Sequence, residues 1–136
     1  MGKKKIVVDT NTLMSSIGWE GKPEQLLQEI IEGKYELVVS TKQIIEIKRV
    51  LNYLKFKFSE EQKQRFMKIL FEISTAIDTK TTHNIIKEDP ADNMLIECAA
   101  EANAYCIISG DKHLRKLKKY KNIRIVSVSE FLKEQL

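Results

Sequence analysis

The feature that most constrains the fold is an alternation of short apolar runs with segments of helical periodicity. An apolar run at 6–8 is followed by Pro23–Gly33, where apolar residues recur at helical spacing and a glycine ends the pattern. A second run, Glu36–Ser40, precedes a helical segment that Ser40 or Thr41 can cap and that extends to about Leu54. Because parallel strands need a crossover of helical length, this order predicts an α/β fold with a mostly parallel sheet.

The second half of the chain continues the alternation. A capping box at Ser59–Gln62 opens a helix, Ser74–Ile77 is a candidate strand, and Ile85–Ile86 is a candidate anchor within a polar turn. Further on, the pattern predicts a helix from Asp89 to about Asn103, strands at Tyr105–Ile108 and Ile123–Val126, and a short terminal helix capped by Ser127 or Ser129. We expect four to five strands flanked by helices, in a single domain spanning 1–136.

Composition excludes several classes of protein. With 43% apolar and 31% charged residues, the chain is neither disordered nor fibrous. No apolar run is long enough for a membrane span, and the basic start lacks the core of a signal peptide, which predicts a cytoplasmic location and no membrane partner. Cys98 and Cys106 stand in apolar surroundings and are expected to be buried thiols rather than a disulfide or zinc ligands. A net charge of +4 permits a polyanionic partner.

Two acids follow buried strands and two lie on helices. Asp9 ends the first apolar run and Asp111 follows the run at 105–108, so both should emerge at the carboxyl edge of one parallel sheet, where ligands bind in α/β proteins. Glu46 lies at the margin of the apolar face of its helix, where it could reach a cleft or simply be solvated. Mg²⁺ and Mn²⁺ prefer carboxylates gathered from separate elements, so the four acids, Asp92 included, are candidate metal ligands.

Asp92 shares a helix face with apolar residues. It falls beside Ile96 and Ala99, whereas Glu97 and Glu101 fall on the opposite side and are expected to face solvent. An acid on the buried face is costly unless a cation or a hydrogen bond compensates it. Asp92 could therefore be a metal ligand, or it could stabilise the N-terminus of its own helix.

Neutral polar side chains stand near the two strand ends. Asn11 and Ser109 could orient the carboxylates or hold water, although both are also ordinary turn residues. Asp89 is better explained as the N-cap of its helix than as a ligand.

These motifs, in this order, resemble the PIN-domain metal-dependent ribonucleases, particularly the toxins of bacterial and archaeal toxin-antitoxin pairs. The resemblance rests on Val-Val-Asp-Thr-Asn-Thr-Leu, Tyr-Glu-Leu-Val-Val-Ser, Glu-Asp-Pro-Ala-Asp-Asn and Tyr-Cys-Ile-Ile-Ser-Gly-Asp-Lys-His-Leu. It implies a three-layer PIN-like sandwich. It also implies that Asp9, Glu46, Asp92 and Asp111 are catalytic and bind one or two Mg²⁺ or Mn²⁺ ions, that RNA is the substrate, and that a small antitoxin blocks the cleft. Homodimers are common in the family.

One motif departs from the family pattern. Relatives often carry Thr where this chain has Ser109, and an acid where it has His113. A serine hydroxyl can replace that of threonine, but His113 removes an accessory acid and puts the second metal site in doubt.

A basic segment follows Asp111. Between positions 112 and 124 there are seven basic residues and no acid: Lys112, Arg115, Lys116, Lys118, Lys119, Lys121 and Arg124. Carboxylates repel phosphates, so basic residues beside an acidic centre favour binding of RNA, and Lys112, Arg115 and Lys116 are the nearest candidates for substrate binding. The other explanation is a solvated lysine-rich loop.

Two other functions remain open. A PIN module without catalytic activity would bind RNA or a protein, although the presence of all four acids argues against lost chemistry. An aspartyl-nucleophile phosphatase is loosely similar in having Val-Val-Asp-Thr-Asn-Thr followed later by Gly-Asp, but Asn11 stands where that chemistry requires a second Asp.

Overall fold

The computed structural model describes residues 2–18, 21–79 and 90–134, and a six-stranded sheet forms their centre. The strands are β1 (Lys4–Val8), β2 (Tyr35–Ser40), β3 (Ser74–Ile77), β4 (Cys106–Ile108), β5 (Lys119–Tyr120) and β6 (Ile123–Val126), in the order β3-β2-β1-β4-β6-β5. All neighbours are parallel except β5 and β6. The predicted α/β fold with a mostly parallel sheet is confirmed. The sixth strand, which was not predicted, is the two-residue β5 that folds back on β6.

Seven helices connect the strands in the described part of the chain. They are α1 (Thr10–Gly18), α2 (Lys22–Ile31), α3 (Thr41–Val50), α4 (Glu60–Ile73), α5 (Pro90–Ala102), α6 (Lys112–Arg115) and α7 (Val128–Glu134), with a 3₁₀ turn at Leu54–Phe56. The sequence did not predict α1, and α3 ends before Leu54. The capping box at Ser59 and Gln62 is present with both of its hydrogen bonds. The candidate anchor Ile85–Ile86 and the candidate N-cap Asp89 lie outside the described residues. No helix in the described ranges is long and apolar enough to cross a bilayer.

Each face of the sheet carries its own apolar core, as the alternation of strand side chains requires. Ile6 and Val8 of β1 pack with α1, α2, α3, α4 and α7 on one face. Val7, between them, packs on the opposite face with α5 and with Leu114 of α6. Helices therefore cover the sheet on both sides, which gives the three layers that the resemblance implied.

The strand order reverses beside β1. The chain passes from β1 to β2 on one side, and β4 later pairs with β1 on the other side, with Val8 opposite Ile108. A crevice forms outside the carboxyl ends of strands where the order reverses in this way. Asp9 and Asp111 follow β1 and β4 into this crevice.

Candidate metal-dependent active site

Asp9 is held rigidly at the end of β1. Its backbone N–H continues the sheet by donating to the Ile108 carbonyl at 2.9 Å. Asp9 as a whole is 8% exposed; its Oδ1 accepts from the Thr12 N–H at 2.7 Å, and its Oδ2 accepts from Ser109 Oγ at 2.5 Å and Gly110 N at 3.2 Å. A carboxylate has about four acceptor positions, so three donors leave capacity on Oδ1 for one more ligand.

Ser109 joins the ends of β1 and β4. Its fully buried hydroxyl donates to Asp9 and accepts from the Asp111 N–H at 3.0 Å. Asp111 is the N-cap of α6, and its Oδ1 accepts from His113 N at 2.7 Å and Leu114 N at 3.3 Å. No described residue donates to Asp111 Oδ2, and the residue lines the crevice. One serine hydroxyl thus fixes the separation of the two acidic strand ends.

Two side-chain contacts hold α3 against the end of β1. Thr10, directly after Asp9 and buried, donates a short hydrogen bond to Glu46 Oε1. One turn earlier on α3, the fully buried Gln43 donates through Nε2 to the Val8 carbonyl at 2.7 Å. Arg49 Nη2 lies 3.9 Å from the other oxygen of Glu46. Thr10, Gln43 and Arg49 were not found from the sequence, because each gains its role only from contacts across the fold.

Asp92 is buried in the first turn of α5 and lines the same crevice. The expectation that Glu97 faces solvent was wrong. Glu97 is 5% exposed and forms an ion pair with Lys42 Nζ at 3.2 Å. The count of helical faces placed Asp92 correctly on a buried face but misplaced Glu97, because α5 is buried on nearly all sides from Asp92 to Ala99.

All four predicted acids line one cleft of about 1000 Å³ at the carboxyl edge of the sheet. Each comes from a different part of the fold: Asp9 after β1, Glu46 from α3, Asp92 from α5 and Asp111 before α6. Three basic residues, Lys22, Arg49 and Lys55, also line the cleft in the described part of the chain, together with Tyr53 and the hydroxyls of Ser127 and Ser129.

Four carboxylates form a donor set that fits a hard divalent cation such as Mg²⁺ or Mn²⁺. As they stand, no three His, Cys, Asp or Glu side chains within residues 2–18, 21–79 and 90–134 are close enough to share an ion. Coordination by three or more of the acids therefore requires their side chains to rotate toward one another. The open acceptor positions of Asp9 Oδ1 and Asp111 Oδ2 are where such a shell would begin.

Only some of the other predicted site residues line the cleft that holds the acids. Asn11 is in the first turn of α1, is exposed and lines the cleft, whereas Ser109 is fully buried and does not line it. Lys112, Arg115 and Lys116 belong to α6 or its C-cap and do not line the cleft, so their role in substrate binding stays a prediction. The cationic side chains that do line it were missed because they are dispersed along the sequence.

Solved structures of low sequence identity share this fold. The chain is similar to VapBC2 from Rickettsia felis, whose crystal structure was solved bound to a DNA fragment from the VapBC2 promoter. The two share 13% sequence identity with a TM-score of 0.62, over 89% of this chain and 96% of that chain. It is also similar to the PIN domain endonuclease Utp24, with 16% identity, a TM-score of 0.55, and coverage of 90% and 84%. No curated protein sequence is significantly similar to this one.

A sequence model of the PIN domain matches residues 5–113, a range that contains the ends of β1 and β4, the whole of α3 and α5, and all four cleft acids. The chain therefore belongs to the PIN-domain family.

Proposed function

We propose that the protein is a metal-dependent endoribonuclease that hydrolyses phosphodiester bonds of RNA. The observation that carries this proposal is the convergence of Asp9, Glu46, Asp92 and Asp111, from four separate elements of a PIN domain, on one cleft. Acids brought together at a strand-order reversal destabilise one another, and a bound cation removes that cost.

The four carboxylates would hold one or two Mg²⁺ or Mn²⁺ ions, which supply Lewis acidity that makes water a nucleophile near neutral pH and neutralise charge on the phosphate. The chain itself supplies the orientation. Ser109 and the Thr12 and Gly110 amides fix the Asp9 carboxylate, Thr10 fixes Glu46, and Arg49 offers a cation to the phosphate beside them. Carboxylates restrained by such hydrogen bonds need less reorganisation than free ones when they turn toward an ion.

The test is RNA cleavage with Mn²⁺ or Mg²⁺ by the wild type and by Asp111→Asn. Asparagine retains N-cap ability, so this variant should keep α6 while losing the charge, and we expect cleavage to fall by at least about 100-fold. Asp9→Asn is the second variant; it cannot accept from Ser109 and Thr12 at once, so its fold is checked by circular dichroism. Asp78→Asn, outside the cleft, is the matched control. Cleavage by Asp111→Asn at the wild-type rate would refute the proposal.

The biological role we propose is that of the toxin in a type II toxin-antitoxin pair. The similarity to VapBC2 supports this role, together with the sequence motifs. The antitoxin would be a small protein that inserts a segment into the cleft. Expression in a bacterium should arrest growth, Asp111→Asn should relieve the arrest, and coexpression of a short neighbouring gene should do the same. Normal growth with active enzyme would favour a role in RNA processing.

A PIN module without catalysis is the second candidate, and the separation of the carboxylates in the described residues favours it. Calorimetric titration with Mn²⁺ separates the two candidates. An enzyme binds the ion and loses affinity in Asp9→Asn, whereas a scaffold that binds RNA or protein without chemistry shows no heat that depends on Asp9.

A further inference from the structure

An aromatic and basic rim borders the cleft where α3 ends. Arg49 lies in the last turn of α3, Tyr53 follows the helix, and Lys55 lies in the 3₁₀ turn, and all three line the cleft that holds the acids. We call these three residues the Tyr53 rim. We propose that the Tyr53 rim binds single-stranded RNA beside the acids, with the ring of Tyr53 stacked on an unpaired base. This inference deepens the proposed function and rests on it.

Exposure of Tyr53 distinguishes it from the other tyrosines. Tyr35 is buried with its ring edge-on to Phe131 at 4.9 Å. Tyr105 and Tyr120 are half-buried, and each has a lysine ammonium over its ring. Tyr53 is 42% exposed and faces a cleft rather than a core. Structural packing therefore does not account for its ring.

Hydrogen bonds on both sides of Tyr53 hold its backbone in place. Tyr53 N–H donates to the Val50 carbonyl at 3.0 Å, and the Tyr53 carbonyl accepts from Phe56 N at 3.2 Å. Phe56 and Phe58, whose rings stack at 5.4 Å, pack against the apolar core and anchor the segment that follows. Because the backbone that carries the ring is already ordered, a ligand that stacks on Tyr53 has only the side chain to immobilise.

Charge on the rim complements a phosphate backbone. Arg49 is 67% exposed at its side chain, so its contact with Glu46 leaves most of the guanidinium open to solvent. Lys55 is exposed, with its ammonium 5.1 Å from the Phe56 ring centroid. Two cations that line the same cleft as an exposed aromatic ring suit a single strand, whose phosphates and bases alternate. A duplex keeps its bases stacked inside and offers no base face to Tyr53.

The experiment measures binding by fluorescence anisotropy in the Asp111→Asn background with Mg²⁺, where cleavage should not interfere. Three probes are compared: a short single-stranded RNA, the same strand with abasic nucleotides, and the same strand paired with its complement. Tyr53→Ala should weaken binding of the single strand about 5- to 150-fold, the effect of one lost base stack. Binding of the abasic and duplex probes should change little, and Tyr53→Phe should retain the preference for bases. Phe71→Ala, an exposed aromatic of α4 outside the cleft, is the control.

The results separate this inference from the proposed function. Equal binding of the single strand by Tyr53→Ala and its parent, or no binding of single strands by the parent, overturns the inference even if the wild type cleaves RNA. Loss of base-dependent binding in Tyr53→Ala supports the inference, even if the wild type fails to cleave and the proposed function falls. Tyr53 variants that bind RNA normally but fail to bind an antitoxin would assign the rim to a protein and overturn the RNA assignment.

Discussion

Single side chains in this protein act by fixing other side chains. Ser109 is fully buried, and its one hydroxyl serves the carboxylate of Asp9 and the amide of Asp111, residues on neighbouring strand ends. Thr10 acts in the same way on Glu46. Ser109 is a positioning residue, because it contacts the two acidic residues and does not line the cleft, whereas Thr10 holds Glu46 and also lines the cleft. Polar groups behind a metal ligand set its orientation and its basicity.

At this scale we expect Ser109→Ala to lower Mn²⁺ affinity about 10- to 100-fold, the usual cost of removing a partner of a metal ligand. The alanine leaves Asp9 with one donor fewer and the Asp111 amide without its acceptor. Calorimetric titration with Mn²⁺ measures the effect. Ser16→Ala removes another buried hydroxyl, one that donates to the Leu13 carbonyl, and should leave the affinity unchanged. Equal affinities in both variants would contradict the positioning role.

The elements show what periodicity can and cannot predict. Strands β1, β2, β4 and β6 and helix α5 follow apolar patterns that are strong in the sequence alone. Helix α1 is different: Thr10, Asn11, Thr12, Ser15 and Ser16 are poor helix formers, and the helix is stabilised by burial of Leu13 and Met14 in the core. Such a helix depends on tertiary contacts, which no local pattern reveals.

The acids of the candidate site could be predicted from the sequence, because their positions follow from strand ends and helix faces. Asp9 and Asp111 follow buried strands, and parallel pairing of those strands places them at one edge. The cations of the cleft could not be predicted, since Lys22, Arg49 and Lys55 are separated in sequence and only the fold collects them. The sequence predicted the cations of the site in the dense basic segment after Asp111, but the residues of that segment near α6 lie outside the cleft lining.

The basic residues in and after α6 could still contact RNA that extends beyond the cleft, and this can be tested. Replacing Lys112, Arg115 and Lys116 by glutamine should reduce the slope of log Kd against log salt by up to about 2, if each contacts one phosphate of a single strand. A matched triple variant at Lys48, Lys68 and Lys133, exposed residues outside the cleft, removes the same charge. Fluorescence anisotropy across a series of KCl concentrations measures the slopes. If the two triple variants give the same slope, α6 contributes only net charge.

At the scale of the whole molecule, both cores contain a titratable thiol. Burial raises the pKa of Cys98 in α5 and of Cys106 in β4, each to about 12 from an ordinary value of 9.0. Burial, followed by the nearby Glu29, also raises the pKa of Tyr35 to about 12. In the unfolded chain these groups ionise at lower pH than in the folded one. Their contribution to stability is complete below pH 9 and is lost as the pH rises toward 12.

We accordingly expect the free energy of unfolding to fall above pH 9, with each thiol contributing about 1.4 kcal/mol per pH unit until its folded pKa is reached. Urea denaturation at several pH values between 7 and 11 measures the fall. The double variant Cys98→Ala, Cys106→Ala should be less stable at pH 7 but lose stability less steeply above pH 9. An unchanged slope in that variant would show that the thiols are not the groups responsible.

The hydrogen bond between Ser109 and Asp9 joins residues 100 positions apart. During synthesis on a ribosome, Asp9 emerges long before β4 and the serine that orients it, and pairing over such a separation is among the slower steps of folding. A nascent chain therefore carries the first acid of the cleft without the means to hold it in place. If the chain has the proposed ribonuclease activity, this order of folding would keep the message and the ribosome that make it away from a complete active site until the last strands have docked.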